Sequence, residues 1–250
     1  MGLSGMAVRQ LDPGCLFRLP CDDGAGNMAD LSPNNNDLQV GVDNSTAYDN
    51  AGWYTSTAGA SQSFGGQIPV AALPWDLRYD VLVCSLSIII AATETARNVM
   101  GSAGANPSFG FALAVSTTDR FRLQLNRGDG LIQAIDDFGT ASGAEQHILM
   151  VIDGPSQMVS AYLDGVSGGT DVNVAAAGSG SGVPPAANPF GFGFRGSSSS
   201  PIAAQFKYAQ LYRIEGSALR PAAPVPNIAR LAARMAAAPF ERLTAQDLRP

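Results

Sequence analysis

Charge is scarce in this sequence, and basic charge scarcest. Asp, Glu, Lys and Arg make 14% of the 250 residues, with 15 basic against 21 acidic and a formal net charge of −6. Nucleic acid and anionic membrane surfaces both need a basic patch on their partner, so neither is expected here. No apolar run approaches the roughly 20 residues of a spanning helix; the longest, "VLVCSLSIIIAA" at 81–92, is interrupted by serines. Cys15, Cys21 and Cys84 are odd in number and lack metal-type spacing, which predicts no disulfide framework and folding in a reducing cytoplasm. The start, "MGLSGMAVRQ", has neither a basic opening nor an apolar stretch, so no secretion leader is expected. Met6 stands where a myristoylation motif would need Ser or Thr. Histidine occurs once, at His147, with no nucleophile or second ligand beside it in sequence; that makes it a strand-end residue rather than a catalyst.

What the chain does have is 28 glycines and 16 prolines set between short alternating runs. In "VLVCSLSIII", Leu82, Cys84, Leu86, Ile88 and Ile90 share one face while Ser85 and Ser87 take the other. "FGFALAV" sets Phe109, Phe111, Leu113 and Val115 against Gly110, Ala112 and Ala114. "RFRLQL" sets Phe121, Leu123 and Leu125 against Arg120, Arg122 and Gln124, and "FGFGFRG" gathers Phe190, Phe192 and Phe194. "AQFKYAQLYRI", 204–214, shifts its apolar phase near Ala209, which predicts a bulge. "HILMVIDGPSQMVSAYLDG", 147–165, reads as two strands joined by "DGPS" and closed by Asp164-Gly165. There Gly154 is expected to supply a positive φ and Pro155 a fixed one, and Asp-Gly marks a tight reversal. No convincing amphipathic helix precedes residue 217. The fold class expected is therefore all-β, an antiparallel jelly-roll sandwich with a short C-terminal helical extension.

The order of these segments resembles the concanavalin A-like lectin/glucanase superfamily in its laminin G-like form. The likeness runs from the first apolar strand and Asn-rich turn of "CLFRLPCDDGAGNMADLSPNNNDLQV" through "VCSLSIII", "FGFALAV" and "FRLQL". Its most recognisable element is the hairpin with His147, Asp153, Tyr162, Asp164 and Gly165, and it closes on "IAAQFKYAQLYRIEGSAL". The resemblance implies a sandwich over 15–219, preceded by an arm at 1–14 and followed by a Pro/Ala linker and helical segment at 220–250. It also implies a non-enzymatic part of a bacteriophage particle: a capsid decoration, head fibre or tail-associated protein. Such a protein would be made in the host cytoplasm, sit on the virion surface and self-associate. Its expected partners are major capsid or tail proteins and host-surface glycans. The alternatives are a bacterial carbohydrate-binding lectin outside any virion and, behind it, a glycan hydrolase.

Glucanases of that superfamily carry Glu-x-Asp-x-(x)-Glu, because retaining hydrolysis needs two carboxylates on one face. No such pattern occurs here. Asp136 and Asp137 are adjacent, which on a strand sends them to opposite faces, and Glu215 stands alone. For sugar binding, the candidate loop aromatics that stack on pyranose faces are Trp53, Tyr54 and Trp75; the alternative role of the two tryptophans is to anchor long loops to the sandwich. Asp22, Asp23, Asp30, Asn35, Asn36, Asp37, Asp43 and Asn44 offer hard oxygen ligands of the kind calcium takes. The simpler account of the cluster is turn formation, since no EF-hand spacing is present. "NRGDG" at 126–130 contains Arg-Gly-Asp but sits where a hairpin turn is expected.

After "RPAAPVP", a stiff linker, Asn227 can cap a helix carrying Ile228, Leu231 and Met235 on one stripe, with Arg230 and Arg234 off it. Pro239 ends that helix, and Phe240 follows it. So short an Ala-rich helix is marginal alone, so these four apolar residues are candidate assembly contacts, docking on the chain's own sandwich or on a neighbouring subunit.

Overall fold

The computed structural model describes residues 14–41, 53–56, 65–69, 73–90, 97–103, 110–128, 130, 132–170, 177–183, 189–193, 202–215 and 230. Their regular structure is strand, apart from a single 3-10 residue at Ala177 and Arg230, which is helical and exposed. Ile228, Leu231, Met235, Phe240, Asp43 and Asn44 lie outside the described residues.

Among the described residues, fourteen strands form two antiparallel sheets. In the first, the central strand β5 (Val81–Ile90) lies between β14 (Ala204–Ile214) and β10 (Glu145–Asp153), and β10 continues to β11 (Met158–Leu163) and β12 (Val166–Thr170). The free edge of β14 is shared: β1 (Cys15–Leu19) takes its second half and β3 (Tyr54–Ser56) its first. The second sheet runs β2 (Gln39–Val40), β4 (Gly66–Ile68), β13 (Phe190–Phe192), β6 (Arg97–Gly101), β7 (Gly110–Val115), β8 (Phe121–Asn126) and β9 (Ile132–Ile135).

Alternation decides what enters the core. Leu82, Cys84, Leu86, Ile88 and Ile90 point between the sheets to meet Phe111, Leu113, Phe121, Leu123, Phe190 and Phe192. Rings interlock at the centre: Phe17 lies 5.7 Å from both Phe190 and Phe192, and Phe192 meets Phe206 edge-on at 5.5 Å. Tilted and edge contacts of this kind stabilise beyond the area they bury.

The phase shift in β14 is real. Its register with β5 breaks between Phe206 and Tyr208, two residues before Ala209, leaving Lys207 as the extra residue. Inward positions thus change from Ala204 and Phe206 to Ala209 and Leu211. The 147–165 ribbon is the β10–β11 hairpin, in register from Ile148↔Leu163 to Asp153↔Met158. One expectation there needs correction: the left-handed residue of the turn is Gln157 (φ 55°), not Gly154. Gly154 is required for space, because a Cβ there would collide with the Leu77 carbonyl. Asp164 and Gly165 both have positive φ, 51° and 78°, as a type I′ reversal demands.

Candidate functional site

The acidic loop between β1 and β2 is organised by its own donors. Asp30 is fully buried. Its Oδ1 accepts the Arg18 N–H at 2.7 Å and the Ser32 N–H at 2.8 Å. Its Oδ2 accepts the Ser32 hydroxyl at 2.5 Å and the Asn36 N–H at 2.7 Å. Asp37 Oδ1 takes the Asp30 N–H at 2.8 Å, and Asp23 Oδ2 takes the Ala29 N–H at 2.6 Å. Asn36 donates through its amide to Leu16 O at 2.7 Å, and Asn35 holds a left-handed φ of 54°. Asp22 is exposed beside them. Calcium needs six to eight oxygens turned toward one point. Here the oxygens turn toward N–H groups, and no group of three or more His, Cys, Asp or Glu among the described residues is arranged to hold a metal ion. This set does not fit calcium.

The three aromatic candidates separate by burial. Tyr54 is in the core, 5.7 Å from Phe206. Trp75 is 3% exposed, packs near Phe111 and Phe190, and donates its indole N–H to Gly182 O at 3.0 Å. Neither ring face is open to a sugar. Trp53 differs. It is partly exposed, rests on the core, and carries the Lys207 ammonium 4.4 Å from its ring centroid, a cation–π contact.

Strand geometry explains that meeting. Gln205 pairs with Thr55 and Phe206 with Tyr54, so the antiparallel register carries Lys207 opposite Trp53. Tyr54 and Phe206 point inward, so Trp53, Thr55, Gln205 and Lys207 form an outward patch at one end of the first sheet. All four are partly exposed. The patch sets an indole covered by a cation beside a hydroxyl and an amide, at and just before the paired strands β3 and β14. Lys207 was not among the residues singled out from the sequence. Its signal was there, in the phase break of "AQFKYAQLYRI", which leaves one residue out of register.

The carboxylates considered for catalysis are engaged elsewhere. Asp136 and Asp137 do not lie on a strand facing opposite ways, as expected; they occupy the turn after β9. Both face arginines of the β8 hairpin, Asp136 with Arg122 at 2.8 Å and Asp137 with Arg120 at 3.3 Å. Glu215 lies 3.4 Å from Arg213, whose Nε reaches the buried Asp80 at 2.8 Å. His147, at the start of β10, is tied through its backbone to Asp164.

The Arg-Gly-Asp stretch connects β8 to β9, as its hairpin position predicts. Arg127 is 4% exposed and donates its Nε to Gly180 O at 3.0 Å. Burial is the largest influence on its guanidinium and lowers its pKa. An arginine so enclosed is not displayed to a receptor.

No protein-family model matches this chain, and no curated protein matches it in sequence. Solved structures do match in shape. The botulinum neurotoxin serotype G binding domain aligns at TM-score 0.56 and 11% identity, covering 83% of this chain and 49% of that one. The binding domain of Paraclostridial mosquitocidal protein 1 aligns at 0.55 and 12%, covering 80% and 48%. A Trypanosoma rangeli sialidase, in complex with 2,3-difluorosialic acid, aligns at 0.50 and 14%, covering 80% and 31%. The chain thus spans half or less of the length of these structures. Such low identities establish a shared β-sandwich fold and nothing about chemistry.

Proposed function

We propose that this chain is a non-enzymatic, lectin-like recognition module whose contact surface is the Trp53–Lys207 patch, and that it serves as a structural or attachment component of a bacteriophage particle. The observation that carries the binding reading is the pairing itself. A partly exposed indole stacks on the C–H face of a sugar ring, while Gln205, Thr55 and Lys207 offer hydrogen bonds and one positive charge to its hydroxyl or carboxylate groups. The ligand class is a host-surface glycan, with acidic sugars favoured by Lys207. The two toxin structures of similar shape are binding domains by description, which supports a recognition role for such a sandwich.

The engaged carboxylates support the absence of catalysis. Most retaining and inverting glycosidases set two carboxyl groups facing one glycosidic bond, whereas Asp136, Asp137 and Glu215 each face an arginine. Support for the virion setting is the laminin G-like order of strands and turns, and its expected partners are capsid or tail proteins.

The test is an array of bacterial surface glycans probed with the full chain and with Trp53→Ala. Binding by the first and its loss in the second is expected. Binding that survives Trp53→Ala removes the patch from the account. Immunogold imaging of purified particles tests the setting: label on capsid or tail supports the virion component, and glycan binding without particle label supports a bacterial lectin instead. Turnover of a bound glycan, lost on Asp136→Asn, would restore the hydrolase.

A further inference from the structure

Of the 15 basic residues in this chain, Lys207 is the only lysine; the rest are arginines. It sits at the bulge of β14, where the register with β5 breaks between Phe206 and Tyr208 and leaves it without a partner residue on that strand. A bulge re-aims its side chain, and this one is aimed at a ring. The ion pairs among the described residues are made by Arg78, Arg120, Arg122 and Arg213, and Lys207 joins none of them. Its ammonium stands over Trp53 instead, 4.4 Å from the ring centroid.

That position conflicts with stacking. Carbon atoms in contact sit roughly 3.5–4 Å apart, so a sugar ring laid on the same face needs the space the ammonium holds. Trp53 also packs against the core and is only partly exposed, which leaves the covered face as the one for a ligand. Binding there must displace the lysine. An uncharged ring then forfeits the cation–π contact, whereas a ring bearing a carboxylate gives the displaced ammonium a new partner beside the indole. The residue type suits such an exchange. A guanidinium is planar, weakly hydrated and lies flat on aromatic faces, while an ammonium is a compact, strongly hydrated charge on a flexible stem. An arginine would hold the ring; a lysine can leave it.

We propose that Lys207 is a displaceable cover on Trp53 and the residue that sets the specificity of the patch, keeping uncharged rings off the indole and yielding it to anionic ones. This rests on the recognition reading above and narrows its ligand to sugars that carry a carboxylate. Lys207 discriminates by what it excludes as well as by what it attracts. Loss of an exposed cation–π contact disfavours an uncharged ring by about two- to fivefold.

Trp75 is 3% exposed, so collisional quenching of the full chain reads Trp53, with Trp53→Phe as the blank. Acrylamide serves as the uncharged planar probe and iodide, at constant ionic strength, as the anionic one. In Lys207→Ala the acrylamide quenching constant should rise about twofold or more as the ring is uncovered, and the iodide constant should fall by a similar factor. In Lys207→Arg the acrylamide constant should stay at or below the wild-type value. On a glycan array the wild type should prefer carboxylate-bearing glycans over their carboxyl-reduced counterparts, and Lys207→Ala should narrow that preference about fivefold, partly by gaining the reduced forms. The proposal is overturned if acrylamide quenching does not rise in Lys207→Ala, or if wild type and Lys207→Ala discriminate acidic from reduced glycans equally. Quenching that changes as expected, with no glycan bound by either protein, upholds Lys207 as the cover and removes the recognition reading instead.

Discussion

Asp164 and His147 bind each other twice through the backbone of one hairpin. The Asp164 carboxylate accepts the His147 N–H at 2.8 Å, and the Asp164 N–H donates to His147 O at 2.8 Å. The bonds close the β10–β11 ladder where Asp164 turns left-handed, and both use the His147 backbone rather than its imidazole. Asp164→Ala should lower stability by about 2 kcal/mol, from one hydrogen bond and a strained φ. Asp164→Asn should recover most of that, since Asn tolerates this φ and its carbonyl can accept. Urea unfolding measures both; equal losses would show that charge, not turn geometry, is what matters.

Asp30 is the centre of the acidic loop. Asp30→Ala would strand three backbone N–H groups and the Ser32 hydroxyl in a buried place. The expected loss is about 3 kcal/mol or more. Because the carboxylate is already saturated by these donors, millimolar calcium should leave the wild-type thermal midpoint where it is. A calcium-dependent rise would contradict the reading of the loop.

Gly154 and Gly143 separate two reasons for glycine. Gly143 has a φ of 77° with open space where a Cβ would go, while Gly154 faces the Leu77 carbonyl. Gly143→Ala should cost about 1 kcal/mol from its left-handed φ alone. Gly154→Ala should cost several times more, since the turn must move away from Leu77. Comparable losses at both would sink the steric account.

Alkaline pH should weaken the fold through its thiols. Burial raises the pKa of Cys84 above its ordinary 9.0, and burial aided by Asp22 and Asp23 raises that of Cys21. The folded pKa exceeds the unfolded one, so each contribution is complete below pH 9 and is lost as pH rises above it. The slope is about 1.4 kcal/mol per pH unit for each thiol. Denaturant unfolding from pH 8 to 10.5 should show this fall, reduced by one thiol's share in Cys84→Ala. A flat profile would contradict it.

Strands were readable because burial alternates. β5 and β14 match "VLVCSLSIII" and "AQFKYAQLYRI" end to end, and the bulge announced itself as a lost beat. The roles of loop residues were not readable in the same way. Trp75 follows Pro74 and reads as a loop aromatic for sugar stacking, yet a contact 107 residues away, with Gly182, anchors it in the core. Tyr54 looked like a neighbour equivalent to Trp53, but pleating sends adjacent residues to opposite faces, and only knowing that a strand begins at Tyr54 separates them. The pairing of Lys207 with Trp53 depends on β3 adding to β14, a contact between distant segments that local sequence does not specify.

Tryptophan fluorescence addresses the recognition claim most directly, because the chain has two tryptophans and one is enclosed. Titration of the full chain with a glycan selected on the array should shift and quench the emission of Trp53 alone. The signal should vanish in Trp53→Phe, persist in Trp75→Phe, and weaken in Lys207→Ala. A binding signal that persists in Trp53→Phe, or binding with no change in Trp53 emission, would contradict the account.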